Sequence, residues 1–121
     1  MILLVDDNHD LAIAFQLILK SRGYQVVALN SGQEAIDYLK VSETPELILL
    51  DYSMPEMNGD EFLQIVQSEI PEILNRTKIV GLSSFSAQDP SLAHFRNLVA
   101  GFAEKPYDIE SFITLVKQFI A

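Results

Sequence analysis

Five times along this chain a short apolar run gives way to a stretch of helical period, and that alternation leaves few folds open. The runs are Ile2 to Val5, Gln25 to Leu29, Leu47 to Leu50, Lys78 to Leu82 and the short Gly101 to Glu104. The first, third and fourth are nearly continuous in apolar residues, as strands covered on both faces must be. The pattern predicts βαβ units around a parallel sheet, an α/β domain. The intervening helical periods have legible ends. The first runs from about Asp10 to Arg22, with Asn8 as cap and Gly23 just past its end. The second opens with Ser31-Gly32-Gln33-Glu34, the spacing of a capping box, and turns Ala35, Ile36 and Leu39 inward. A third spans roughly Asp60 to Glu69 and buries Phe62, Leu63, Ile65 and Val66. A fourth covers about Pro90 to Leu98. The last is capped by Asp108 and repeats Ile109, Phe112, Ile113, Val116, Phe119 and Ile120 on one face.

Size and charge narrow the function. At 121 residues, with no repeat, linker or low-complexity stretch, a single domain over residues 1–121 is expected. Apolar residues make up 49% of the chain, enough for a real core and too many for a disordered one. No stretch approaches 18 uninterrupted apolar residues, so no spanning helix is expected. The start turns acidic within six residues and is expected to be a first strand, not a signal peptide. A net charge of −9, from 17 acidic against 8 basic residues, disfavours a phosphate backbone or an anionic membrane. Direct binding of nucleic acid is therefore not expected. The absence of cysteine excludes a disulfide framework and a thiolate metal site, and agrees with a cytoplasmic setting.

Aspartates stand where two of the predicted strands end. Asp6 and Asp7 close the first run, and Asp51 closes the third. Ligands of open parallel sheets bind beyond the carboxyl ends of the strands. Three carboxylates gathered there repel one another and shed charge unless a cation compensates, which implies a hard divalent metal. An acidic doublet also caps a helix favourably, so Asp6 and Asp7 alone decide nothing. Asp51 adds weight because it opens a specific loop, Tyr52 to Gly59, stiffened by Pro55 and carrying the turn signal Asn58-Gly59. Lys105, before Pro106, ends the fifth run and reaches the same edge. Taken alone it is equally a solvated lysine before a turn proline.

Over its whole length the chain resembles the receiver domain of two-component response regulators. The resemblance rests on Asp6-Asp7, Asp51, the loop from Met54-Pro55 to Asn58-Gly59, Ser83 after the fourth strand, and Lys105-Pro106 after the fifth. It implies a flavodoxin-like, doubly wound sheet of five parallel strands in the order 2-1-3-4-5 with five helices. It also implies a switch in which Asp51 accepts a phosphoryl group from a histidine kinase or histidine phosphotransfer protein. Magnesium is then held by Asp7, Asp51 and the backbone carbonyl of Ser53, with Asp6 acting mainly through a metal-bound water. Lys105 pairs with Asp51 at rest and with the phosphoryl group afterwards. Ser83, rather than its neighbour Ser84, donates its hydroxyl to that group. Phe102 takes the place of the family's switch aromatic and turns inward when Ser83 moves. The Lys105-Pro106 peptide is expected to be cis. Partners are expected on the face formed by the fourth helix, fifth strand and last helix, which carries Phe95, Phe102 and Tyr107. The domain acts as a monomer or weak dimer. It is not a turnover enzyme, since it transforms only its own aspartate.

Some residues depart from the family pattern. Phe102 replaces the more usual tyrosine, so its inward and outward states differ only in packing. Leu98 and Val99 stand where a Gly-Ala pair is common, which bears on the loop before the fifth strand. Ser53 and Phe85 flank the route of hydrolytic water; a bulky Phe85 is expected to hinder it, or else is simply a surface loop residue. His9 adjoins the acidic site but suits magnesium poorly, and His94 falls in the fourth helix. Three other readings stay open. An aspartate-nucleophile phosphatase wants a second aspartate where Ser53 stands. A flavin carrier wants a phosphate loop where Asp6-Asp7-Asn8 stands. A receiver-like interaction module that is never phosphorylated is the third.

Overall fold

The computed structural model describes residues 1–84, 89–105 and 108–120. Strands β1 (Ile2–Val5), β2 (Val26–Leu29), β3 (Leu47–Asp51), β4 (Lys78–Ser83) and β5 (Gly101–Glu104) form one parallel sheet in the order β2-β1-β3-β4-β5. Every residue of β1 and β3 is buried, and β4 is buried after Lys78. Continuous apolar runs end in the sheet's centre because only there do both faces meet helices. On one face lie α2 (Gly32–Val41), α3 (Gly59–Glu69) and α5 (Ala93–Leu98), packed on Leu3, Val5, Ile48, Leu50 and Ile79. On the other lie α1 (His9–Ser21) and α6 (Ile109–Phe119), packed on Ile2, Leu4, Leu47, Leu49, Val80 and Leu82. Phe15 of α1 and Phe112 of α6 stack there with centroids 4.4 Å apart.

Local signals account for most element ends. The Asn8 side chain accepts from the Leu11 amide at the start of α1. Past its end Gly23, at φ 92, donates to Lys20 while Tyr24 donates to Leu19, the paired bonds of a Schellman stop. Ser31 caps α2 by accepting from the Glu34 amide, but Glu34 reaches the Asn30 amide instead of closing a box on Ser31.

Four expectations are corrected. The Asn58-Gly59 pair is not a turn: Asn58 caps α3 in a complete capping box with Glu61, and Gly59 is its first residue. The turn lies earlier, where the Met57 amide donates to the Pro55 carbonyl around Glu56 at φ 67. A sixth helix, the single turn α4 (Ile73–Arg76), follows Pro71 and plugs the core with Ile73; four residues are too few for periodicity to reveal. The predicted fourth helix is a 3₁₀ turn, Pro90–Leu92, running into α5. Ile109 sits in the first turn of α6 and is 51% exposed, while Phe112, Ile113 and Val116 carry the buried face. Val99 ends α5 in extended conformation, and the Ala100 amide joins the Ile79 carbonyl, so the loop before β5 closes without the Gly-Ala pair.

Candidate functional site

Strand register brings the aspartates together. β1 and β3 are neighbours with Leu4 opposite Leu49 and Val5 opposite Leu50, so Asp6 and Asp51 fall at the same level one step on. Side chains alternate along a strand, and both aspartates therefore share the α1–α6 face with Leu4 and Leu49. Asp6, Asp7 and Asp51 each present a carboxylate oxygen within 4.8 Å of the others. Asp6 is fully buried, Asp51 is 4% exposed, and Asp7 faces solvent. Together with Asn8, Leu11, Phe15, Ser53, Ser84 and Lys105 they line a cleft of about 390 Å³ at the carboxyl edge of the sheet.

Lys105 reaches this cluster from the end of β5, but its closer partner is not the expected one. Its Nζ lies 2.6 Å from Asp6 Oδ2 and 3.5 Å from Asp51 Oδ1. Asp6 has no water to turn to, and the ammonium settles on the more buried charge. Asp6 is held further by the Asn8 amide on Oδ1, and the Asn30 side-chain amide binds its carbonyl. Asn30 was legible only as a polar residue ending β2 at the same sheet edge. The Lys105 amide in turn donates to the Ser83 carbonyl, fixing the lysine to β4.

One ammonium does not balance three carboxylates. Burial, the largest cause, pushes Asp51 up to about 7; Lys105 opposes the rise, while the charge of Asp6 and the hydrogen bond and charge of Asp7 add to it. The cluster suits a hard cation. Oxygens around magnesium at about 2.1 Å span at most about 4.2 Å, so small side-chain rotations would close two of these carboxylates onto one ion. The all-oxygen donor set and the uncompensated charge fit magnesium, with Asp7 and Asp51 as the ligands that would hold it, since Lys105 lies closer to Asp6 than to Asp51.

Ser83 and Ser84 divide differently from expectation. Ser83 ends β4, is fully buried and does not line the cleft, whereas exposed Ser84 does. Alternation along β4 puts Ser83 on the face of Ile79 and Gly81, the face that also holds Phe102. Ser53 is partly exposed at the cleft. His9 is exposed beside the site and no part of its lining, and His94 lies on α5 with Nδ1 3.2 Å from Asp60 Oδ1. Phe85, Pro106 and Tyr107 fall outside the described residues, and with them the flanking role of Phe85, the cis peptide and one residue of the signalling face.

A doubly wound parallel sheet with an acidic, lysine-bearing cleft at its carboxyl edge defines a class: open α/β proteins whose site lies beyond the carboxyl ends of the strands. The chain matches the response regulator receiver domain over residues 2–117, and it belongs to that family. It is 24% identical to the polar-differentiation response regulator DivK of Brucella ovis over 119 residues, covering 98% of this chain and 94% of that protein. It is 30% identical to the cell cycle transcriptional regulator CtrA of Caulobacter vibrioides, covering 95% of this chain and 48% of that protein. Among solved structures, the CheY-like receiver domain protein of Methanospirillum hungatei JF-1 superposes with a TM-score of 0.84 at 28% identity, covering 98% and 92% of the two chains.

Proposed function

We propose that this receiver domain is a phosphorylation-dependent switch: Asp51 accepts a phosphoryl group from a histidine kinase or histidine phosphotransfer protein, in a magnesium-dependent reaction, and loading alters affinity for a protein partner. The observation that carries the reading is the convergence of Asp6, Asp7 and Asp51 within 4.8 Å, with Lys105 set against Asp6 and Asp51. In transfer, an ionised Asp51 oxygen bonds to phosphorus as the bond from phosphorus to the imidazole nitrogen breaks, and the imidazole keeps the electron pair. Lys105, within reach of Asp51, faces the charge gathering on the transferred oxygens. Magnesium, when bound through Asp7, Asp51 and the Ser53 carbonyl, supplies further neutralisation of that charge and keeps Asp51 ionised. Asp6 anchors Lys105 and would act on the ion only indirectly. Ser83 would have to leave its buried position to donate to the phosphoryl group, and that movement frees space on the face of Phe102.

Hydrolysis of the acyl phosphate returns the domain to rest, so no external substrate is turned over. A cytoplasmic setting fits such a partner for kinases; among the described residues no helix is long and apolar enough to cross a membrane. A downstream protein would dock on α5, β5 and α6, the chain acting as a monomer or weak dimer. Acetyl phosphate with magnesium, followed by intact-mass measurement, tests the reading. One phosphoryl group should appear on the wild type and none on Asp51→Asn. No gain on either protein would leave the receiver as an unphosphorylated interaction module.

A further inference from the structure

The chain leaves β2 for α2 beside the point where β1 delivers its acidic pair. Val5 lies opposite Leu29, and the ladder runs one step further, the Asp6 amide donating to the Leu29 carbonyl at 3.1 Å. In a parallel ladder each bonded residue engages the positions before and after its opposite number, so the next donor, onto the Asp6 carbonyl, would be the Ser31 amide. Ser31 caps α2. The Asn30 side-chain amide takes that place and donates to the Asp6 carbonyl at 3.2 Å. Asn30 is itself held, since its backbone amide donates to Glu34 Oε1 at 3.3 Å and the Ser31 hydroxyl donates to the same oxygen at 3.3 Å. Asp6 is thereby fixed at its amide, at its carbonyl and, through the Asn8 amide and Lys105, at both carboxylate oxygens. Asp7 differs: it faces solvent, yet its carboxylate is one of the three that converge. Core packing does not steer an exposed side chain, so its direction is set by the peptide that carries it. That peptide is planar, and its oxygen is the one that Asn30 holds.

We propose that Asn30 is a positioning residue for the ion site: its side-chain amide, standing in for a ladder donor, fixes the Asp6–Asp7 peptide and so aims the Asp7 carboxylate at Asp51. This rests on the reading of the acidic cluster as a magnesium centre that serves the loading of Asp51. The charges of Asp6 and Asp51 push Asp7 toward water, and the Asn30 bond opposes that drift. Groups that orient a metal ligand without touching the metal change affinity by about 10–100-fold. Saturating magnesium restores the aim, so the effect belongs to ion affinity and not to the rate of transfer at saturation. Charge and donor capacity at position 30 make opposite predictions. A carboxylate there adds negative charge beside the cluster, which on Coulomb's law alone tightens cation binding. It offers the Asp6 carbonyl no proton, and on this proposal it loosens binding.

Calorimetric titration of the unloaded protein with magnesium chloride, at mildly alkaline pH, tests this. Asn30→Ala and Asn30→Asp should each raise the dissociation constant about tenfold. Ser31→Ala removes the α2 cap and costs stability without touching the bond from Asn30 to Asp6, and it should leave the constant unchanged. Labelling by acetyl phosphate should slow in both Asn30 variants when magnesium is scarce and reach the wild-type rate when it is saturating. Tighter binding in Asn30→Asp, or an unchanged constant in Asn30→Ala, would overturn the proposal. So would an equal effect of Ser31→Ala, or labelling that stays slow at saturating magnesium. Should Asn30→Ala fail to fold, Asn30→Asp, which keeps the shape of the side chain, decides by the sign of its effect. If the wild type binds magnesium but takes no label, the reading of Asp51 fails while the titrations still judge Asn30. If it binds none, the metal centre and this role of Asn30 fall together.

Discussion

Asp51 is asked to be ionised where burial and two neighbouring carboxylates favour the neutral acid, and Lys105 offsets this only in part. Its ordinary value of 3.8 is pushed up to about 7 in the folded protein. In metal-free protein, then, the folded state keeps a proton that the unfolded chain releases. The stability this confers is complete below about pH 4 and is lost as pH rises toward about 7. Asp51→Asn has no such proton to lose. Allowing for screening by water in the open cleft, the stability gap between Asp51→Asn and wild type should widen by about 1–2 kcal/mol from acid to neutral pH. Urea unfolding in EDTA across that range measures it, and a constant gap would show that Asp51 titrates normally. At this scale the acidic doublet, Asp51 and Lys105 were legible because each closes a strand. The preference of Lys105 for Asp6 was not, since it follows from which carboxylate is sealed from water. The buried position of Ser83 was equally hidden, because it depends on the parity of β4 and not on residue type.

Elements were legible wherever their ends carry side-chain signals. Asn8, Ser31 and Asp108 all cap helices as their residue types suggest. Asn58-Gly59 misled because the same dipeptide serves turns and caps, and only Glu61, three residues on, distinguishes them. Replacing Asn58 with alanine removes one arm of that box and should cost about 1 kcal/mol in thermal or urea unfolding. Ile109→Ser should change stability by less than about 0.5 kcal/mol, because more than half of that side chain is already in water. Equal losses from both would mean that α6 packs through its first turn after all. The single turn α4 gave no signal, as one turn offers no period to recognise.

For the molecule as a whole, apolar runs alone indicated a covered parallel sheet, while strand order came from the family resemblance. Periodicity says which faces are buried and nothing about which strand lies beside which. The same wholeness would govern ion binding, since the candidate ligands follow two strands and the lysine a third. Magnesium at tenfold excess over its dissociation constant should stabilise the fold by about 1.4 kcal/mol at neutral pH. The gain should shrink in Asp51→Asn and as acid protonates the cluster. Thermal melts with and without the ion measure this, and an unchanged midpoint would count against a metal centre.

Asp51, the proposed phosphoacceptor, ends β3, which like its neighbour β1 is buried along its full length. A charge loaded there would land on the stiffest beam of the scaffold, which has almost no room to yield. On that reading a mechanical response would surface at the looser flank, where Leu92 and Phe95 anchor a six-residue helix.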